Sequence, residues 1–278
     1  MSDIVSVHGC RRTLSSRLFK LVDLFVTLAL WSYFTVGFIF LFAPAYVLAA
    51  IVASDRARAF QWLNHYFYRG FIGLCRFVMP RQRWNIDPAL AKVRSAVIVC
   101  NHVSYIDPLL LISLFARHTT IVKTSLFGIP IFGWMLSMSG YLPSRSQGAL
   151  SGRLVERMER MPDFLAEGGN LFVFPEGTRS RDGRLLSFNA GAFKIARLCR
   201  APLAVARIAN SDRLFTPGRF LFNTCQPNTI TVELLGLVTP AYDSAKFSTT
   251  GLIDQVRSLL ETSLNTDQAG ASSRPRAA

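Results

Sequence analysis

Asn101-His102-Val103-Ser104-Tyr105-Ile106-Asp107 sets a histidine shortly before an aspartate, directly after the apolar run Ala96–Cys100. Histidine titrates near neutrality, so it suits a base that takes the proton from an attacking hydroxyl. A carboxylate on the other ring nitrogen would fix the tautomer and stabilise the imidazolium, and Asp107 is spaced for that. Asp107 also precedes Pro108, a common arrangement at a helix N-cap; the two roles are compatible through different carboxylate oxygens. A second group is Phe174-Pro175-Glu176-Gly177-Thr178-Arg179-Ser180. Gly177 permits a tight turn with exposed backbone N–H groups, and Arg179 offers a planar donor fork matched to phosphate. Glu176, Gly177, Thr178 and Arg179 together make a candidate phosphate cradle; the plainer alternative is a surface turn with an Arg–Glu pair.

Both groups need a scaffold that brings strand ends together. From about residue 85, short apolar runs alternate with helical stretches. Ala96–Cys100, Thr119–Lys123, Leu171–Phe174 and Leu203–Ile208 read as strands, and Ile230, Val232 and Leu234 alternate like a more exposed edge strand. Leu109–Phe115, in a helix beginning at Pro108, then Leu150–Leu165 and Ala190–Leu198 read as helices. Pro162 kinks or breaks the second of these, and Gly168 and Gly169 end it. The expected fold class is α/β: a mixed, largely parallel sheet flanked by helices, with an N-terminal membrane-embedded helical segment. In open sheets of this kind ligands gather at the carboxyl ends of the strands, where both groups fall.

The membrane expectation comes from composition. Of the 278 residues 50% are apolar and only 17% charged, against roughly 25% in soluble domains. Leu24 to Ser54 carries no charge. As a helix it would run ~46 Å, beyond the ~30 Å hydrocarbon core. Pro44 leaves two readings, one tilted span over Leu24–Ala43 or a helical hairpin dipping into one leaflet. Arg11, Arg12, Arg17 and Lys20 precede the run and Arg56 and Arg58 follow it, which puts both flanks on the cytoplasmic side. Residues 60–79 are aromatic-rich and suit either the headgroup level or ordinary packing. Lys and Arg exceed Asp and Glu by 31 to 17, a net +14, yet form no dense runs. That favours membrane lipid and phosphorylated ligands over nucleic acid. The five cysteines are scattered without a C-x-x-C pair, so neither zinc nor a disulfide framework is indicated. The expected divisions are a basic segment 1–20, an anchor 21–54, an interfacial helix and linker 55–84, a catalytic domain 85–264 and a disordered tail 265–278.

The histidine–aspartate motif, followed downstream by Phe-Pro-Glu-Gly-Thr-Arg-Ser, resembles the glycerolipid acyltransferase family over roughly residues 85–240. The resemblance implies that His102 and Asp107 form a catalytic dyad. It implies that Arg145, closing Gly140-Tyr141-Leu142-Pro143-Ser144-Arg145, joins Arg179 at an acceptor phosphate. Glu176, Gly177 and Thr178 would form the acceptor-site turn, with Asn101, Lys123 and Lys194 near the site. Substrates would be a lysophospholipid acceptor, most simply 1-acylglycerol-3-phosphate, and a fatty acyl thioester on coenzyme A or acyl carrier protein. No cofactor or metal is implied, and the expected location is the cytoplasmic face of a bacterial inner membrane. Two blocks depart from the family pattern. Ala201-Pro202-Leu203-Ala204-Val205-Ala206 keeps one proline of two in the donor-linked block, and Leu-Pro-Ser-Arg stands where Phe-Ile-Asp-Arg is common. A lyso-ornithine lipid or another lysolipid is the neighbouring acceptor. A membrane hydrolase is a distant alternative, since no Gly-x-Ser-x-Gly elbow or clustered metal set is present in the sequence.

Overall fold

A computed structural model describes residues 3–146, 148, 150–180 and 184–272. The chain opens with α1 (Asp3–Ser32), a π-helical stretch (Tyr33–Phe42) and α2 (Ala43–Val52), then α3 (Arg56–Val78). There follow β1 (Gln82–Ile86), α4 (Pro88–Ala91), β2 (Val97–Cys100), α5 (Ile106–Leu114), β3 (His118–Val122), α6 (Phe132–Met138) and β4 (Leu142–Pro143). The second half holds α7 (Leu150–Glu159), α8 (Met161–Ala166), β5 (Asn170–Val173), α9 (Gly191–Leu198), β6 (Leu203–Ala209), α10 (Ser211–Leu214), β7 (Asn228–Val238) and α11 (Thr249–Ser272).

The strands form one seven-stranded sheet in the order β1-β7-β6-β2-β5-β3-β4. All neighbours are parallel except β6 and β7, so the sheet is mixed and largely parallel as expected. Side chains alternate across it. Ile98, Cys100, Phe172, Ala204 and Ala206 enter a core shared with α3, α5 and the N-terminal helix. Val97, Val99, Leu171, Val173, Leu203 and Val205 enter a second core under α8, α9 and α11. Burial on both faces is why the central strands read as unbroken apolar runs.

Four expectations change. β7 is interior, because the polar strand Gln82–Ile86 pairs along its outer side; that strand has too little apolar alternation to be read locally. The helix after β2 begins at Ile106, with Tyr105 as its N-cap, so Asp107 lies in its first turn. Of the two readings of the apolar segment the hairpin does not form: one helix runs unbroken past Ala43 to Val52, and the chain turns only before α3. Pro44 sits just after the π-helical stretch, whose altered hydrogen-bond spacing accommodates a residue without an N–H. Finally, α11 continues to Ser272 although the composition from 265 onward reads as a disordered tail. Its Leu252, Val256 and Leu260 anchor it to the sheet, and a helix already nucleated extends through weak formers at little cost.

The stretch Arg17–Val52 is long and apolar enough to cross a membrane, and only 6% of its most apolar window is buried, which excludes a core helix. One stripe of it docks on the domain. Val26 and Leu30 are buried, Thr27 Oγ1 accepts from Phe222 N (3.0 Å), and Asp23 Oδ1 accepts from Thr224 N (2.8 Å). Tyr33 donates to the Phe67 carbonyl (2.7 Å), seating the helix against α3.

Candidate active site

β2 ends at Cys100 and the chain leaves the sheet at once. Asn101 fixes that exit, its amide donating to Ile208 O (2.9 Å) and accepting from Ile208 N (2.8 Å). Its side chain therefore ties β2 to β6 and faces no ligand. His102 follows, with Nδ1 2.9 Å from Asp107 Oδ2. Asp107 is fully buried, and the same oxygen accepts from Val103 N (2.8 Å) and Ser104 N (2.7 Å). Its other oxygen accepts from Ser211 Oγ at 2.5 Å. Those donors keep the carboxylate satisfied without water, and Nδ1–H of His102 is the donor to it. Nε2 is then the basic nitrogen, in a side chain 16% exposed. The ring stacks on Phe174, centroids 4.2 Å apart.

The second motif braces the first. β5 delivers Phe174-Pro175-Glu176-Gly177, and Gly177 N donates to Phe174 O (3.0 Å), closing a tight turn. Glu176 turns inward: one carboxylate oxygen accepts from His102 N (3.2 Å), the other from Leu186 N (3.0 Å). Burial pushes its pKa up, with the two backbone donors opposing that shift. The expected exposed cradle is thus reduced. Glu176 holds the His102 backbone, and the Gly177 N–H is taken by the turn. Arg179 remains. Its guanidinium carbon lies 3.4 Å from the Tyr105 ring centroid, and its buried Nη1 has no hydrogen-bond partner among the described residues. Ser180 N donates to His102 O (2.9 Å), so Arg179 runs alongside the dyad loop.

The remaining candidates are spread along the same edge or off it. Thr178 is exposed beside the turn. Lys123 and Arg145 are exposed at the carboxyl ends of β3 and β4, and Arg145 N donates to Thr124 Oγ1 (2.9 Å). With β5 and β3 between, Arg145 starts three strands from His102, ~14 Å. Lys194 is exposed on α9, whose buried face joins the second core, and no described contact links it to the dyad loop. Ser211 was not legible in the sequence, since it lies 104 residues from Asp107. Beside the dyad opens an apolar cavity of about 320 Å³, walled by Leu30, Trp31 and Phe34 of the N-terminal helix and by Tyr105, Ile106 and Phe215. Among the described residues no cluster of His, Cys, Asp or Glu is arranged to hold a metal.

A base–carboxylate pair at the carboxyl edge of a mixed sheet, beside a cation and an apolar cavity, defines a site for hydroxyl chemistry on an amphipathic molecule. Residues 85–208 match the family model described as Acyltransferase. Over 101 residues the chain is 46% identical to the chloroplastic 1-acyl-sn-glycerol-3-phosphate acyltransferase LPAT1 of Arabidopsis thaliana, covering 36% of this chain and 28% of that protein. Over 177 residues it is 29% identical to the 1-acyl-sn-glycerol-3-phosphate acyltransferase of Borreliella burgdorferi, covering 62% of this chain and 69% of that one. The fold matches the crystal structure of the 1-acyl-sn-glycerophosphate acyltransferase PlsC of Thermotoga maritima at TM-score 0.65 and 22% identity, over 89% of this chain and 97% of that one. The chain is thus similar to the glycerolipid acyltransferases over residues 85–208, and it spans well under two thirds of the length of chloroplastic relatives such as LPAT1.

Proposed function

We propose that the chain is an O-acyltransferase that moves a fatty acyl group from an acyl thioester to the free hydroxyl of 1-acylglycerol-3-phosphate, giving phosphatidic acid. The observation that carries this reading is the His102–Asp107 pair, whose connecting loop, at Tyr105, adjoins both the guanidinium of Arg179, with its unsatisfied nitrogen, and the apolar cavity. His102 Nε2 takes the acceptor's hydroxyl proton as the oxygen attacks the thioester carbonyl. The new C–O bond forms, the C–S bond breaks, and the departing thiolate takes the proton back from the imidazolium. Asp107 stays ionised and steadies the imidazolium between those steps. Arg179 binds the phosphate, Arg145 and Lys123 extend the cationic edge, and an acyl tail lies in the cavity. The donor carrier is coenzyme A or acyl carrier protein. The reaction needs these side chains and two substrates, without a cofactor.

The N-terminal helix, mostly unburied, is read as embedded in the membrane from which the acceptor comes. In a bacterial cell this would be the inner membrane, with the Arg56 and Arg58 flank and the sheet on the cytoplasmic side. Ser144, in place of the family's aspartate before Arg145, keeps a second acceptor in view: a lyso-ornithine lipid, acylated by the same dyad.

The test is acylation of a lysolipid panel with both thioesters, in wild type, Arg179→Ala and Arg179→Lys. Losing a charge-assisted, often bidentate contact removes ~1.5–3 kcal/mol, so Arg179→Ala should weaken use of lysophosphatidate ten- to a hundredfold or so while donor dependence holds. Lysine should restore only part, since a point charge does not reproduce the fork. Unchanged acceptor dependence in Arg179→Ala, or acylation of the ornithine lipid alone, would move the assignment to the second acceptor.

A further inference from the structure

We propose that the tip formed by residues 128–132 and Trp134 is a second bilayer contact, separate from the N-terminal helix. The inference rests on that helix being membrane-embedded and adds where else the protein touches lipid. The tip belongs to the connection between β3 and β4, and no charged residue lies between Lys123 and Arg145. At its crest Ile129 is 46% exposed, Ile131 66%, Phe132 36% and Trp134 42%. Four large apolar side chains clustered on one short turn form the kind of patch that marks an interaction surface.

The tip is built rather than slack. Gly133 N donates to Ile129 O (2.7 Å) and Met135 N to Ile131 O (2.9 Å). A Cβ on Gly133 would sit 2.0 Å from the Phe127 carbonyl oxygen, so the turn is folded tightly on itself and only glycine fits there. Ile131 holds φ at 63°, a backbone conformation that β-branched residues rarely adopt. A strained isoleucine that points its side chain into water gains nothing from the protein for that strain. Lipid supplies the missing partner.

The neighbours identify the occupant as a bilayer. Trp134 packs edge-on against Phe60 (centroids 5.2 Å), and Met135 is buried with Tyr46 and Phe60. That small cluster also takes in Phe42, Ala49 and Ala50, so the tip adjoins the α2 end of the N-terminal helix, where Val47, Ile51 and Val52 are exposed. Arg56 and Arg58 at the start of α3, and Lys123 and Arg145 at the roots of the tip, are exposed. An apolar crest with an indole, ringed by basic side chains, matches the interface between acyl chains and phosphate headgroups. The roots of the tip are the cationic ends of β3 and β4. Seating it in lipid therefore brings that edge to headgroup level, where an acceptor can reach the dyad without leaving the membrane.

The protein's own tryptophans report on this, because it has four: Trp31, Trp62, Trp84 and Trp134. Two full-length variants, each keeping only Trp31 or only Trp134 with phenylalanine elsewhere, are reconstituted in phosphatidylcholine–phosphatidylglycerol vesicles containing lipids brominated at defined acyl positions. Emission from Trp134 should be quenched, more by shallow bromines than by deep ones. Ile131→Gly, which relieves the positive φ while removing the apolar side chain, should reduce that quenching and leave Trp31 quenching as it was. Quenched Trp31 with unquenched Trp134 overturns the proposal and leaves the embedded helix standing. Loss of both signals overturns the helix reading as well. Trp134 shielding that grows with protein density but ignores bromine assigns the tip to a second copy of the chain, and Trp134 quenching unchanged by Ile131→Gly shows the crest does not enter lipid; either result overturns it.

Discussion

His102 is held from three directions: Asp107 at its ring nitrogen, Phe174 beneath its ring and Glu176 at its backbone N–H. A histidine fixed this way, as the proposed base, would lose little to reorientation when the proton moves. His102→Ala should therefore lower turnover by ~10²–10⁴-fold with folding and membrane association intact. Near-normal turnover in the folded variant would remove the base from the mechanism. Ser211 acts one step back, through its 2.5 Å hydrogen bond to Asp107. Ser211→Ala leaves a buried carboxylate oxygen short of a donor, a change of ~1–3 kcal/mol. The expected result is a fall in kcat with the KM for acceptor little changed. A selective rise in KM would instead make Ser211 part of the binding surface.

Two elements carry the site's geometry. The first is the turn after β5, where Gly177 has φ +67° and a Cβ would lie 2.9 Å from Asn189 Nδ2. Gly177→Ala combines left-handed strain of ~1–2 kcal/mol with displacement of Asn189. It should lower the thermal midpoint and, because Glu176 and Arg179 flank the turn, lower activity as well. An unchanged midpoint would show that the turn relaxes freely. The second is β3, whose His118 is fully buried. Nδ1 donates to Phe115 O (2.7 Å), and Nε2 accepts from Tyr141 Oη (2.6 Å), which in turn accepts from Asn64 Nδ2 (3.0 Å). This chain ties α3 to the strand that ends near Arg145. Burial lowers the His118 pKa to about 3. The unfolded chain takes up that proton first, near pH ~6.5. The stabilising contribution of neutral His118 is thus present above that value and is lost as pH falls toward about 3, at up to ~1.4 kcal/mol per pH unit. Thermal midpoints in detergent should fall as pH drops from 7 to 4, and His118→Gln should flatten the fall. An equally steep fall in the variant would assign the acid sensitivity to other groups.

For the molecule as a whole, the N-terminal helix walls the cavity as well as carrying the apolar stretch proposed to enter the membrane. Leu30, Trp31 and Phe34 line the cavity beside the dyad, while Asp23 and Thr27 bond the segment around Phe222 and Thr224. Removing residues 1–54 should therefore do more than release the protein from vesicles. It opens the cavity and bares Phe71 and Ile72, so the truncated protein should aggregate without detergent and lose activity with it. Carbonate extraction, size-exclusion chromatography and the transfer assay report the three effects. A soluble, active fragment would show that the helix contributes attachment alone.

The sequence by itself determined what is local. Strands β2, β5 and β6 were legible because burial on both faces demands unbroken apolar runs. The break near Pro162 was legible because proline cannot donate a helix hydrogen bond. The pairing of His102 with Asp107 was legible because one turn of chain holds both residues. Tertiary structure decided what depends on partners far along the chain. β1 is a strand only because β7 lies beside it, and β7 is interior for the same reason. Glu176 faces inward because its carboxylate meets the N–H groups of His102 and Leu186, a fact of placement that its motif does not encode. Ser211 reaches Asp107, and the N-terminal helix walls a cavity, through contacts made only once the chain has folded. Periodicity and spacing record a residue's neighbours along the chain, whereas hydrogen bonds and apolar contacts between distant segments are set by how the sheet and helices assemble.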